Sequence, residues 1–161
     1  MNTMMMKLGL PTVLLLVAGG LTSYAPAASA QVQGKPLKNV GNALCLAATT
    51  FADVAITKEC LPLQTWSRLQ IQGSSDYVLK NVNYGRCLTS SDTGIVTMQL
   101  CNGSNKQRWK MLNTTPVPAL ARYRSVFNGD LLTSNGVGPV FTAAPAPATA
   151  PSAQKLQTWV Y

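Results

Sequence analysis

The sequence has no histidine, and only 5 of its 161 residues are acidic, against 13 lysines and arginines. The first absence removes the imidazole base of Ser-His-Asp chemistry and the commonest metal ligand. The second leaves too few carboxylates for a multi-ligand calcium site or a two-metal centre. Charged residues make up 11% of the chain, well under the roughly 25% of an ordinary soluble domain. Long amphipathic helices are missing too, since no run after the first thirty residues holds a helical apolar period. No metal and no cofactor are expected, and a catalytic role is disfavoured. What remains is a β-rich binding or structural protein, with 47% apolar residues to build a core.

The first thirty residues have a three-part layout of their own. Lys7 is followed by an apolar run from Leu8 to Gly20, broken by Pro11, and then by small residues ending Ala28-Ser29-Ala30. That is the pattern of a secretory signal peptide, 1–30, with cleavage before Gln31. The run is shorter than the roughly 18–20 residues a spanning helix needs, so no membrane span is expected after cleavage. The remaining 31–161 suffice for one domain, expected to be secreted, whether extracellular or periplasmic.

All four cysteines, Cys45, Cys60, Cys87 and Cys101, fall in that exported part. Four cysteines allow three connectivities. The regular gaps of 15 and 14 residues favour Cys45–Cys60 and Cys87–Cys101. A zinc site is disfavoured because no C-x₂-C spacing exists.

Self-comparison organises the rest. Leu37-Lys38-Asn39-Val40 recurs as Leu79-Lys80-Asn81-Val82, and at the same offset of 42 Cys45-Leu46 becomes Cys87-Leu88. A weaker third copy matches Gly85 through Ser90 to Gly129 through Ser134 at an offset of 44. Each copy closes on Gln-x-Trp: Gln64 and Trp66, Gln107 and Trp109, Gln157 and Trp159. The repeats are placed at about 32–73, 74–116 and 117–161, with the Ala/Pro tract 143–153 read as an extended loop insertion. Short alternating runs broken by turn residues predict strands, in the second unit at 77–82, 86–89, 96–100 and 107–112. Four strands per unit cannot bury an apolar face alone, so three copies must close on one another. The expected fold is all-β, a β-trefoil; a propeller would need four or more blades.

These repeats, each ending in Gln-x-Trp and two carrying a Cys pair, resemble the ricin B-type lectin domain over essentially the whole exported chain. The resemblance implies carbohydrate binding, with a glycan or cell-surface receptor as partner. Sugar-binding members usually carry an Asp two residues after the first Cys of a unit, where this chain has Ala47, Thr89 and Thr133. They carry an aromatic two residues before the second Cys, where Lys58 and Gln99 stand, and an Asn before the motif Gln, where Leu63, Lys106 and Leu156 stand. The usual galactose constellation is therefore largely absent. The third unit departs further, with Leu131 in place of a Cys, and is expected to be held by packing.

The second unit is the most polar, and Thr89, Asp92, Gln99, Asn105 and Gln107 form its candidate ligand-binding set. Tyr84, Phe51 and Phe141 are aromatics available for stacking on a sugar ring. The tryptophans are expected in the core and the motif glutamines as loop-holding hydrogen bonders. The segment 85–109 is also similar to the lectin-like binding subunits of cytolethal distending toxins, which implies an alternative partner, a separate catalytic subunit. Excess positive charge, +7 once Lys7 is removed with the leader, includes Arg122 and Arg124 beside Tyr123. Lys106, Arg108 and Lys110 are expected to alternate on one strand face, able to attract anionic partners by a screened field. Export argues against nucleic acid as that partner. Asn102-Gly103-Ser104 and 113–115 match the N-glycosylation sequon.

Overall fold

The computed structural model describes residues 34–49, 54–62, 64–113 and 120–161. The leader 1–30, Phe51, Leu63 and most of the sequon at 113–115 lie outside the described residues. Alternating apolar and polar positions, cut by Asn, Gly and Ser turns, fold into thirteen short strands among those residues. They are β1 (Lys35–Pro36), β2 (Lys38–Asn39), β3 (Cys45–Ala47), β4 (Ile56–Lys58), β5 (Thr65–Gln70), β6 (Asp76–Asn81) and β7 (Arg86–Thr89). Then follow β8 (Thr97–Leu100), β9 (Trp109–Asn113), β10 (Leu120–Ser125), β11 (Leu131–Ser134), β12 (Gly138–Ala143) and β13 (Trp159–Val160). No helix among the described residues is long and apolar enough to cross a membrane.

Antiparallel pairing closes a barrel. β1 pairs with β5, β5 with β6, β6 with β9, β9 with β10, β10 with β13, and β13 with β2. Only Leu37 separates β2 from β1, so the ring returns to its start and leaves no barrel edge exposed. Three hairpins, β3–β4, β7–β8 and β11–β12, cover one end. They attach to the ring through equivalent pairs, Lys38 with Cys45, Lys80 with Cys87, and Arg124 with Leu131. The hairpins meet at a backbone hydrogen-bond cycle, in which Ala55 N–H donates to Val96 O (2.9 Å), Val96 N–H to Val140 O (2.9 Å) and Val140 N–H to Ala55 O (3.0 Å).

Trp66, Trp109 and Trp159 are fully buried, and each indole N–H donates to a hairpin carbonyl: Leu46 O at 2.9 Å, Leu88 O at 3.1 Å and Leu132 O at 3.0 Å. A buried indole therefore supplies large apolar area and satisfies its one polar atom. By area each indole contributes, as an upper estimate, about 4–6 kcal/mol. Leu37, Leu79, Leu88, Leu132 and Tyr123 fill the space between them.

The turns after β2, β6 and β10 share one device. Asn39 Oδ1 accepts from the N–H groups of Gly41 and Asn42, and Asn81 Oδ1 from those of Asn83 and Tyr84. Ser125 Oγ accepts from Phe127 and Asn128. Gly85 (φ +65°) and Gly129 (φ +79°) complete two of these turns in the left-handed region, and Ala43 (φ +59°) completes the first. Both bridges are formed, Cys45–Cys60 and Cys87–Cys101.

Three sequence expectations need correction. The strand expected at 107–112 begins later, because Asn105–Gln107 form a 3₁₀ turn that aims the Gln107 side chain inward. Consequently Lys106, Arg108 and Lys110 do not share one strand face. Lys106 binds Asp92 and sits over the Phe127 ring, Arg108 binds the buried Asp76 at 2.7 Å, and Lys110 remains exposed. The Ala/Pro tract is not all loop. Its end enters a helix, α1 (Pro151–Leu156), where Pro151 occupies the first turn that needs no N–H.

Candidate functional site

The first bridge and the turn after β6 together build a cleft. Cys45–Cys60, with Cα atoms 4.9 Å apart, holds the end of β4 and the following Leu61-Pro62 against β3. The Asn81-anchored turn lifts Tyr84 opposite them, 48% exposed. The resulting space, about 390 Å³, is lined by Ala48, Lys58, Leu61, Pro62, Gln64 and Tyr84. That volume is within the range of small-ligand sites, roughly 300–1,000 Å³.

Gln64 gives this cleft its chemistry. The corresponding Gln107 is fully buried and wholly engaged: Oε1 accepts from Asn102 N–H (2.8 Å), and Nε2 donates to Leu100 O (2.8 Å) and Thr89 Oγ1 (3.2 Å). Gln157 repeats the arrangement, accepting from Ala146 N–H (2.8 Å) and donating to Ala144 O (2.8 Å) and Thr133 Oγ1 (3.4 Å). Gln64, 5% exposed, accepts from Leu61 N–H at 3.2 Å, but its Nε2 has no partner among the described residues. At the position of the two threonine hydroxyls the first unit has Ala47, whose methyl accepts nothing. An orphaned buried amide is costly unless something outside the chain satisfies it.

The residues expected to bind in the second unit are dispersed. Thr89 and Gln107 are brought together, but buried and bonded to each other. Asp92 is exposed and ion-paired to Lys106 at 2.8 Å; that ammonium, by hydrogen bond and charge, holds its carboxyl below the usual value. Asn105 is exposed and accepts from Arg108 at 3.4 Å. Gln99 lines a second cleft of about 340 Å³, shared with Arg86, Met98, Leu100 and Asn102. Of the aromatics, Tyr84 lines the first cleft, whereas Phe141 is half-buried in β12 opposite Thr133. The sequence reading misses Gln64 as a site residue; the signal able to find it is Ala47 standing where the other two units have Thr89 and Thr133.

Away from the clefts, the Arg68 guanidinium stacks 3.7 Å from the Tyr161 ring centroid beside buried Tyr123. Burial pushes the Tyr123 phenol up to about 12, with Arg68 pulling weakly the other way. Among the described residues no three His, Cys, Asp or Glu side chains are grouped to hold a metal ion.

This arrangement of barrel and capping hairpins superposes on solved structures. The BEL β-trefoil superposes with a TM-score of 0.65 at 19% identity, covering 80% of this chain and 90% of its own. The fold is a β-trefoil. SeviL, solved bound to the asialo-GM1 saccharide, matches this trefoil with a TM-score of 0.64 at 12% identity, over 80% of this chain and 95% of that one. The Haemophilus ducreyi cytolethal distending toxin matches with a TM-score of 0.66 at 18% identity, over 82% and 84%. No family model matches the sequence, and no curated protein does. Identities this low carry the trefoil fold and nothing finer.

Proposed function

We propose that this β-trefoil is a secreted, non-catalytic glycan-binding module of lectin type, built of three units of about 43 residues. The Gln64 cleft is its binding centre. The observation that carries this reading is the buried Gln64 amide nitrogen, without a partner among the described residues, in a cleft walled by Tyr84, Leu61 and Pro62. A pyranose suits such a site: a hydroxyl or ring oxygen accepts from Nε2 while its apolar face lies on the aromatic wall. Thr89 and Gln107 serve the second unit as loop struts, and Gln99 is the member of the expected set placed to reach a ligand. Lectins among the structural neighbours and the leader-like sequence pattern of 1–30 support the same reading.

The test is a glycan array with the oxidised chain at physiological salt. Selective binding to one sugar class, weakened by Gln64→Met, is the expected result. Silence across the array would sink the proposal. The second reading, an accessory subunit that docks on a catalytic toxin chain, would then be taken up. It is favoured by the cytolethal distending toxin match and by Leu100, 78% exposed beside Arg86. Its test is co-purification from the source organism with the partner identified by mass.

A further inference from the structure

Asparagine followed by glycine occurs three times in the chain, at Asn102-Gly103, Asn128-Gly129 and Asn135-Gly136. The dipeptide carries its own reactivity, because a glycine backbone nitrogen, with no Cβ beside it, can reach the side-chain carbonyl carbon of the asparagine before it. All three asparagines are exposed, yet the fold treats them differently. At Asn128 both reacting groups are committed. The Gly129 N–H donates to Ser125 O at 3.0 Å, and Asn128 Nδ2 donates to Thr142 Oγ1 at 3.0 Å. Reaction there must break one hydrogen bond of the nucleophile and another of the leaving amine.

At Asn102 neither the Gly103 N–H nor Asn102 Nδ2 has a partner among the described residues, while the groups around them are held. Asn102 N–H donates to Gln107 Oε1 at 2.8 Å, and Ser104 O accepts from Gln107 N–H at 2.9 Å, so one glutamine fixes both flanks of Gly103. Gly103, at φ +71°, has open space where a Cβ would stand. Ser104 N–H donates to Asn102 Oδ1 at 3.0 Å. That bond draws electrons from Cγ and is already aimed at the oxygen on which negative charge develops when Cγ is attacked. Asn128 has a similar donor, Asp130 N–H at 3.2 Å, but not the uncommitted nucleophile. Asn135 has no donor to its Oδ1 among the described residues. Asn102 alone combines the polarised carbonyl with the unengaged attacking and leaving groups.

We propose that Asn102 is a self-modifying site, which converts to aspartate and isoaspartate in the folded protein without an enzyme. Gly103 N gives its proton to hydroxide and bonds to Asn102 Cγ. The bond from Cγ to Nδ2 breaks, and the amine takes a proton from water to leave as ammonia, closing a succinimide. Water then opens the ring at either carbonyl, giving aspartate through one and isoaspartate through the other. Asn102 lines the second cleft with Arg86, Met98, Gln99 and Leu100, so the product adds a carboxylate to that wall. In the isoaspartyl product the main chain also runs through the former side chain, one carbon longer, between the Cys87–Cys101 bridge and the 3₁₀ turn. An aged molecule therefore presents a second cleft of different charge and shape from a new one.

The experiment incubates the oxidised full chain at physiological temperature and pH and follows each Asn-Gly peptide by mass spectrometry, with isoaspartate methyltransferase labelling the isoaspartyl product. The same chain, reduced and held in guanidinium chloride, supplies the intrinsic rate of each dipeptide. One hydrogen bond to be broken slows a step about fivefold, so native Asn102 should convert about thirtyfold faster than native Asn128, which has two. Native Asn135 should fall between them, and in denaturant the three should agree within a few-fold. Thr142→Val, which frees Asn128 Nδ2, should speed conversion at Asn128 about fivefold and leave Asn102 unchanged. Conversion at Asn102 should accelerate with rising pH, as loss of the Gly103 proton requires. Equal native rates at Asn102 and Asn128, or slower conversion of Asn102 in the folded chain than in denaturant, would overturn the assignment. Asn135 converting ahead of Asn102 would overturn the role given to the Ser104 N–H.

Discussion

Gln64 and Gln107 occupy equivalent places yet should behave in opposite ways when each is replaced by methionine. The substitution nearly conserves volume and removes only the amide. At Gln107 it deletes three hydrogen bonds and strands the Asn102 N–H and Leu100 C=O. At about 1 kcal/mol net per bond, the expected cost is about 3 kcal/mol. At Gln64 one bond is lost, to Leu61 N–H, and one buried amide nitrogen with no partner among the described residues is relieved. Those effects offset, so the expected cost is within about 1 kcal/mol of zero. Urea unfolding under oxidising conditions, followed by the fluorescence of three buried tryptophans, measures both. The melting temperatures should differ by about 10 °C, on the order of 3–4 °C per kcal/mol for a domain of this size. Saccharide affinity should show the reverse order, falling in Gln64→Met and holding in Gln107→Met wherever the fold persists. Equal destabilisation by the two substitutions would refute the claim that Gln64 is the open member of the set.

Three further outcomes follow from the same geometry. Ala43→Gly should stabilise the protein by about 0.5–1 kcal/mol, because an alanine at φ +59° stands where the equivalent turns use glycine; an unchanged urea midpoint would count against it. Tyr123 has a phenol raised by burial from 10.0 to about 12. Its contribution is therefore fully present below pH 10 and lost as pH rises to 12, a fall on the order of 3 kcal/mol. Tyr123→Phe should remove that alkaline loss and cost little at pH 7, since the hydroxyl has no hydrogen-bond partner among the described residues; unfolding measured at pH 9, 10 and 11 checks the sign. Replacing Cys87 and Cys101 together by alanine opens a loop of 14 residues and should cost about 3 kcal/mol by denaturant titration.

The barrel was legible because its determinants are local and repeated. Gln-x-Trp marks a buried tryptophan whose surroundings recur, and paired cysteines at short, even gaps admit one economical connectivity. The asparagines of the repeated Leu-Lys-Asn-Val were visible as a motif, but their task as turn anchors appears only when the Gly41, Asn42, Asn83 and Tyr84 N–H groups converge on them. The site was harder. Polarity drew attention to the second unit, yet polarity in sequence does not reveal whether a group is already satisfied. Thr89 satisfies Gln107; Ala47, the blander residue, leaves Gln64 unmet. Lys106, Arg108 and Lys110 misled for a related reason. Strand alternation does not run through a segment that turns, and a 3₁₀ turn of three residues is too short to leave a period.

The two-residue strand β13 also sets an order of assembly. Trp159 and Val160 seal the ring by pairing with Asn39 and Lys38, 120 and 122 residues earlier in the chain. Both disulfides, in contrast, join cysteines 15 and 14 residues apart. A chain emerging N-terminus first presents each cysteine pair together long before Trp159 exists. Oxidation and ring closure are thereby separated in time, since nearby ends meet more readily than distant ones. One cysteine of each pair, Cys45 and Cys87, is buried in the closed barrel, while Cys60 and Cys101 stay exposed. The third unit, which has no bridge to make, is the one whose arrival shuts the barrel.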